Sequence, residues 1–187
     1  AWIQHMVSTM DENDGRVGVV MPHGVLFRGG KEATIREQLI RSNLLEAVIG
    51  LPNNLFYSTS IPVCLLIFRA KKDVARIDKV LFVDAKTRFT PGKNQNSMSD
   101  EDIDVITTAY QAGVDIDGDN GVSLRLVDLA ELETNSFDLN IGRYIRGETA
   151  VEANVDEAIV LVREAQERLA AAQMALDERL KAAGFDA

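Results

Sequence analysis

Apolar and polar positions along this chain follow two periods, and the switches between them mark its elements. Trp2, Ile3, Met6, Val7 and Met10 recur at helical spacing before the turn DENDGR. Residues 17–21 form a short valine-rich run bounded by turns, which reads as a buried parallel strand. After the loop HGVLFRGG, residues 31–42 set Ile35, Leu39 and Ile40 among Glu and Arg, the pattern of an amphipathic helix. LLEAVIGL is the next strand. Residues 51–61 are rich in turn formers, and residues 62–68 return as a strand with no helix between, so this last pair is expected to be antiparallel. The order predicts an α/β fold with helical crossovers, a mainly parallel sheet covered on both faces and an antiparallel hairpin at its end.

KVLFVDA adds a strand, and the polar stretch KTRFTPGKNQNSMS reads as a loop. Ser99 can cap a helix running to Gln111, with Asp100, Glu101 and Asp102 in the first turn, where the macrodipole favours carboxylates. An acidic connector covers residues 113–121, and VSLRLVDL and FDLNIGRYI are shorter elements. From Asn154, a cap with Glu157 three residues on, the sequence is strongly helical until Gly184. Val155, Ile159, Val162, Leu169, Leu176 and Leu180 carry a coiled-coil-like spacing, broken by Gln166 and Gln173. A helix of roughly 45 Å cannot bury its whole stripe on a small core, so the tail is expected to dock on a partner rather than only on its own domain. The expected divisions are 1–98, 99–150 and a tail at 151–187.

At 187 residues and 46% hydrophobic, the chain can bury one sizeable core. Its net charge of -9 argues against an autonomous nucleic-acid binder. The charge is uneven: 0 over residues 1–70, +4 over 71–99, -9 over 100–150 and -4 over 151–187. The basic segment therefore lies between an apolar front and an acidic back half. No apolar run approaches a membrane span, and a cytoplasmic protein without membrane contact is expected. Cys64, the single cysteine, lies in PVCLLIF and reads as a buried strand residue. Asp115, Asp117 and Asp119 imitate a calcium loop, but Asn120 and Leu126 occupy the places that need Gly and Glu. His5 and His23 lack a spaced ligand cluster, so no metal is expected.

Several pieces, in order, carry a family likeness: GRVGVVMPHGVLFRGG, IGLPNNLFYSTSIPVCLLIF, VLFVDA, GKNQN and FDLNIGRY. Across residues 2–146 the chain resembles the C-terminal portion of the modification (methyltransferase) subunit of type I restriction-modification systems. The resemblance implies the closing part of a Rossmann-like S-adenosylmethionine-dependent methyltransferase sheet, followed by a helical tail. It further implies methyl transfer to adenine N6 and assembly with specificity and restriction subunits on DNA.

Chemistry on a base within duplex DNA requires the base to leave the stack and enter a pocket, commonly against an aromatic face. Phe56, between the last two strands of the hairpin, is where related adenine methyltransferases place that aromatic, and Tyr57 is its neighbour. Without the family, Phe56 reads as a plug beneath its loop. Pro22 and His23 leave the carboxyl end of the sheet, the ligand-binding edge of such folds, and are expected to border the pocket. Arg28, Lys31, Lys86, Arg88 and Lys93 are the candidates for DNA phosphates. Ile159, Val162, Leu169, Leu176 and Leu180 are those for partner docking, with self-association through the same helix as a further expectation.

The sequence also departs from the family. It holds no Gly-rich strand-to-helix turn for the cofactor, no acidic residue after one for the ribose, and no Asn-Pro-Pro-Phe or Asn-Pro-Pro-Tyr tetrapeptide. The resemblance implies that the full-length parent uses S-adenosylmethionine. This chain alone is expected to bind none and to be inactive. The competing reading is a noncatalytic assembly module with a helical arm.

Overall fold

In a computed structural model, the structure describes residues 2–116, 118–145, 163, 166–170, 172–176 and 179. The chain divides into two compact units, Ala1–Glu148 and Thr149–Ala187. In the first, α1 (Trp2–Ser8), β1 (Arg16–Pro22), the single-turn α2 (Gly24–Phe27), α3 (Lys31–Arg41), β2 (Leu45–Gly50) and β3 (Val63–Arg69) follow in order. Then come a 3-10 turn at Val74–Arg76, β4 (Lys79–Asp84), α4 (Asp100–Ala112), β5 (Ser123–Asp128), α5 (Leu129–Thr134) and α6 (Ile141–Tyr144).

The five strands form one sheet in the order β1-β3-β2-β4-β5. β3 runs antiparallel to both β1 and β2, as the missing crossover after residue 50 predicts. The rest corrects the expectation of a mainly parallel sheet: β2 with β4 is the one parallel pair among the described strands, and β4 with β5 is antiparallel. β1 and β2 do run in the same direction, but β3 lies between them. The helical segment after β1 therefore leads past a strand that has yet to be laid down. β1 is also not buried on both faces. It pairs with β3 alone among the described strands, and its residues alternate between exposed and half-buried.

β2 and β4 form the buried centre. On one face Leu45, Val48, Leu66, Phe68, Val80 and Phe82 pack with Ile40 of α3, Leu132 of α5 and Tyr144 of α6. The Phe82 and Tyr144 rings stack with centroids 4.3 Å apart. On the other face Ala47, Ile49, Leu81, Val83 and Leu124 pack under Ile106 and Ala109 of α4. Leu45 and Val48 share a face although three residues apart, because Glu46 is an extra residue in the β2–β3 register, a bulge. The bulge lets the fully buried Glu46 carboxylate meet Arg76 at 3.2 Å, Arg69 at 3.4 Å and the Tyr110 hydroxyl at 2.7 Å.

α4 starts as its sequence predicts. Ser99 accepts from the Asp102 N–H, and the Asp102 carboxylate accepts from the Ser99 N–H, a reciprocal capping box. Gly113 ends the helix in the left-handed conformation at φ 61°. Residues 99–148 belong to the same unit as the front of the chain, since β5 completes the sheet. Cys64 is fully buried on β3, its Sγ 3.4 Å from the Met21 carbonyl, and burial pushes its thiol up to about 12. In the second unit, residues 163, 166–170, 172–176 and 179 are helical. Ile159, Val162 and Leu180 lie outside the described residues, as does the expected cap at Asn154.

Candidate target-base site

β1, β2 and β4 run the same way, so Pro22, Gly50 and Asp84 end at one edge of the sheet, where β3 begins. The connections after these strands gather there. Between them lies a cleft of about 480 Å³, lined by His23, Gly50, Asn53, Asp84, Lys86 and Asn140 among others. α6 closes one side. An added Cβ on Gly50 would come within 2.7 Å of the Ile141 Cδ1, so glycine is what lets α6 approach the strand end. His23 is anchored by its Nε2 to the Val63 carbonyl at 3.0 Å, which ties the turn after β1 to the start of β3. Pro22 stands exposed at the end of β1.

The loop from residue 51 to 62 carries the two aromatics. Its base is closed by the Leu51 N–H on the Val63 carbonyl at 3.0 Å, and its tip by a bridge between Phe56 and Thr59. Phe56 is 46% exposed and Tyr57 87%. Neither is among the residues lining the cleft, which shares the foot of their loop through Leu51 and Asn53. A side chain this open does not plug its own loop. It offers an aromatic face.

The five candidate phosphate ligands do not form one patch. Lys86 is held at 2.7 Å by Asp84. Arg88 meets Asp102 at 2.9 Å, and its Nε is buried without a hydrogen-bond partner among the described residues. The Ser99 N–H and hydroxyl, and then Arg88, hold the Asp102 carboxyl below the usual carboxylate range. Arg28 lies 3.9 Å from Glu32 and borders a separate apolar groove with Trp2 and Ile35. Lys31 and Lys93 are exposed and carry no ion pair among the described residues. Lys93 alone combines an unpaired charge with the loop that follows β4.

Two sets of contacts are not legible in the sequence. Arg36, buried in α3, donates to the carbonyls of Phe137 (2.7 Å), Arg28 (3.0 Å) and Val25 (3.2 Å), which fastens the segment after β1 to the chain before α6. Asn94, Gln95 and Asn96 look like generic loop polarity in the sequence but contact the Phe56 loop directly. The amide-rich GKNQN was the available signal.

A mixed sheet with its loops gathered at the carboxyl end of a parallel pair defines an α/β protein with a ligand-facing edge. Residues 1–153 match the model of the N-6 DNA methylase family, and the chain belongs to that family. It is 37% identical over 148 residues to the type I restriction enzyme MjaVIII methylase subunit of Methanocaldococcus jannaschii, taking in 78% of this chain and 24% of that protein. Against the type I restriction-modification methyltransferase subunit of Streptococcus thermophilus the fold superposes with a TM-score of 0.70 at 40% identity. That match covers 77% of this chain and 29% of the other. The EcoKI M protein shares the fold at a TM-score of 0.61 and 24% identity, over 99% of this chain and 44% of that one. The resemblance read from the motifs is thus borne out, and the chain spans about a quarter of the length of the curated relatives it matches.

Proposed function

We propose that this chain forms the target-base side of an adenine-N6 DNA methyltransferase subunit of a type I restriction-modification system, with Phe56 stacking on the extruded adenine. The observation that carries this reading is the half-exposed Phe56 on a tied loop at the ligand-facing edge of the sheet. Pro22 and His23 border the same edge, and Tyr57 extends the apolar tip. Lys93 is the best placed of the basic residues to meet a phosphate, since Lys86 and Arg88 are already paired.

The residues at this edge do not fit S-adenosylmethionine by themselves. Asp84 is committed to Lys86 rather than open to a ribose, and the turn at Gly24 is filled by the Arg28 guanidinium, 2.9 Å from where a Cβ would stand. Cofactor binding therefore rests on the complete methylase subunit, which acts with specificity and restriction subunits on DNA. This chain alone is inactive.

The test is methyl transfer by the complete methylase subunit carrying this sequence, assembled with its specificity subunit. Base–aromatic stacking is worth about 1–3 kcal/mol, so Phe56→Ala should lower turnover by about 5- to 150-fold while Phe56→Trp retains most of it. Unchanged turnover in Phe56→Ala refutes the assignment.

The helical second unit supplies a docking surface in this reading. Leu169 and Leu176, seven residues apart, are 59% and 56% exposed, and Met174 is 71% exposed. Deleting residues 154–187 should abolish assembly with the specificity subunit, or self-association, while residues 1–148 stay folded. Retained assembly counts against it.

A further inference from the structure

The hydrogen bonds that hold the chain just before Phe56 come from one source. The loop after β4 closes on itself where Thr90 and Ser97 exchange backbone hydrogen bonds of 2.8 and 3.0 Å. Gly92 makes its tight turn, because a Cβ there would stand 2.1 Å from the Gln95 carbonyl oxygen. The closed loop presents Gln95 and Asn96 to the chain just before Phe56. The Asn96 N–H donates to the Asn54 carbonyl at 2.8 Å, and its side-chain amide donates to the Asn53 carbonyl at 3.0 Å. Gln95 Nε2 donates to the Leu55 carbonyl, and Asn54 Nδ2 returns a bond to the Asn94 carbonyl at 3.5 Å.

Among the described residues, every hydrogen bond reaching residues 53–55 from outside their loop comes from residues 94–96. The held segment is a conformation that needs holding. Asn54 sits in the left-handed region at φ 55° and Ser58 at φ 60°, conformations that L-residues adopt at a cost. Three consecutive carbonyls fastened to a closed loop fix the direction in which the next residue, Phe56, leaves the backbone. The same carbonyls, solvated instead, leave the aromatic free to turn away.

We propose that the loop from Thr90 to Ser97 is a positioning clamp, in which Gln95 and Asn96 set the presentation of the Phe56 ring to an extruded purine. Neither touches the base. Both act through the backbone of Asn53, Asn54 and Leu55. The clamp explains why a segment rich in uncharged amides, rather than more lysine, lies beside Lys93: donors aimed at carbonyls order a loop, whereas ammonium groups there would be spent on solvent and phosphate. This inference rests on Phe56 as the base-stacking residue.

The test uses the complete methylase subunit with its specificity subunit on target DNA, with 2-aminopurine at the methylated position as the probe of base extrusion. Gln95→Met and Asn96→Asp remove the donating amides at nearly constant size. The double variant should lose about 10- to 100-fold in kcat, the scale for a small misplacement of a reacting group, with KM for DNA and cofactor little changed. Its 2-aminopurine signal should move as that of Phe56→Ala does, and in the Phe56→Ala background the two substitutions should cost nothing more.

Wild-type kcat in the double variant, beside an impaired Phe56→Ala, overturns the clamp and leaves the role of Phe56 standing. A loss that multiplies with that of Phe56→Ala also overturns it. Wild-type kcat in Phe56→Ala itself removes the base-stacking reading and the clamp with it. Should the double variant fail to assemble, Gln95→Met alone, which keeps both Asn96 bonds, is judged by the same outcomes.

Discussion

Removing the carboxylate of Glu46 should be among the most damaging single changes to this fold. Glu46 is fully buried, and its Oε1 faces Arg76 at 3.2 Å and Arg69 at 3.4 Å while Oε2 accepts from the Tyr110 hydroxyl at 2.7 Å. Breaking a buried ion pair by deleting one partner costs about 3–5 kcal/mol, because the other charge is left uncompensated. Arg69 keeps Asp73 at 3.1 Å, so its loss is partial. Arg76 keeps the Tyr110 ring, 4.9 Å away, and the last carbonyls of α4, but has no second carboxylate among its described partners. The expected loss for Glu46→Ala is therefore near the lower end, about 3 kcal/mol. At about 2–4 °C per kcal/mol, thermal unfolding followed by circular dichroism should move down by about 6–12 °C. The triple replacement Glu46→Leu, Arg76→Met, Tyr110→Phe removes the Arg76 charge and the Tyr110 hydroxyl together with their carboxylate, leaves Arg69 on Asp73, and should recover part of that loss. A Glu46→Ala variant within about 1 kcal/mol of wild type would show that the network is decoration on an apolar core, and would refute the reasoning.

The remaining predictions concern packing and protonation. Ser99→Ala removes one arm of the capping box and should cost about 1 kcal/mol in urea unfolding; no change means solvent replaces the cap. Gly50→Ala forces a Cβ against Ile141, 2.7 Å away, and should destabilise by about 1–3 kcal/mol, with altered hydrogen exchange in α6. Burial pushes the Lys72 ammonium down to about 8 from 10.5, so the unfolded chain binds that proton more tightly over this interval. Stability should rise with pH between about 8 and 10.5, and Lys72→Met should flatten the rise. Burial, then the bond to Glu46, pushes Tyr110 up to about 12, and burial does the same to Tyr144. Both therefore contribute with the opposite sign, and stability should fall between pH 10 and 12.

Local elements were legible because their signals are local. The alternation of Glu and Arg with Ile35, Leu39 and Ile40 places α3, Ser99 with Asp102 places the start of α4, and the helix-free passage from β2 to β3 fixes an antiparallel pair. Strand order is not a local property. That β3 inserts between β1 and β2 depends on which edges are free when each strand arrives, and periodicity is blind to this. The Glu46 bulge was hidden for a related reason, since one extra residue in an apolar run leaves the run apolar. At the site, Phe56 was accessible through the family likeness, and the structure adds its exposure. Lys86 and Arg88 read as free phosphate ligands because a segment's net charge does not show which carboxylates its cations meet; Asp84 in the same segment holds Lys86, and Asp102 in the acidic segment that follows holds Arg88.

The burial of Cys64 gives the chain a chemically silent background. The single thiol is fully enclosed and pushed up to about 12, so at neutral pH it offers alkylating reagents neither access nor thiolate. A cysteine placed at the 87% exposed position by Tyr57→Cys would then be the only reactive handle in the sequence. A fluorophore or spin label there would sit one residue from Phe56, and would report loop-tip motion and DNA approach without first deleting any native residue from the core.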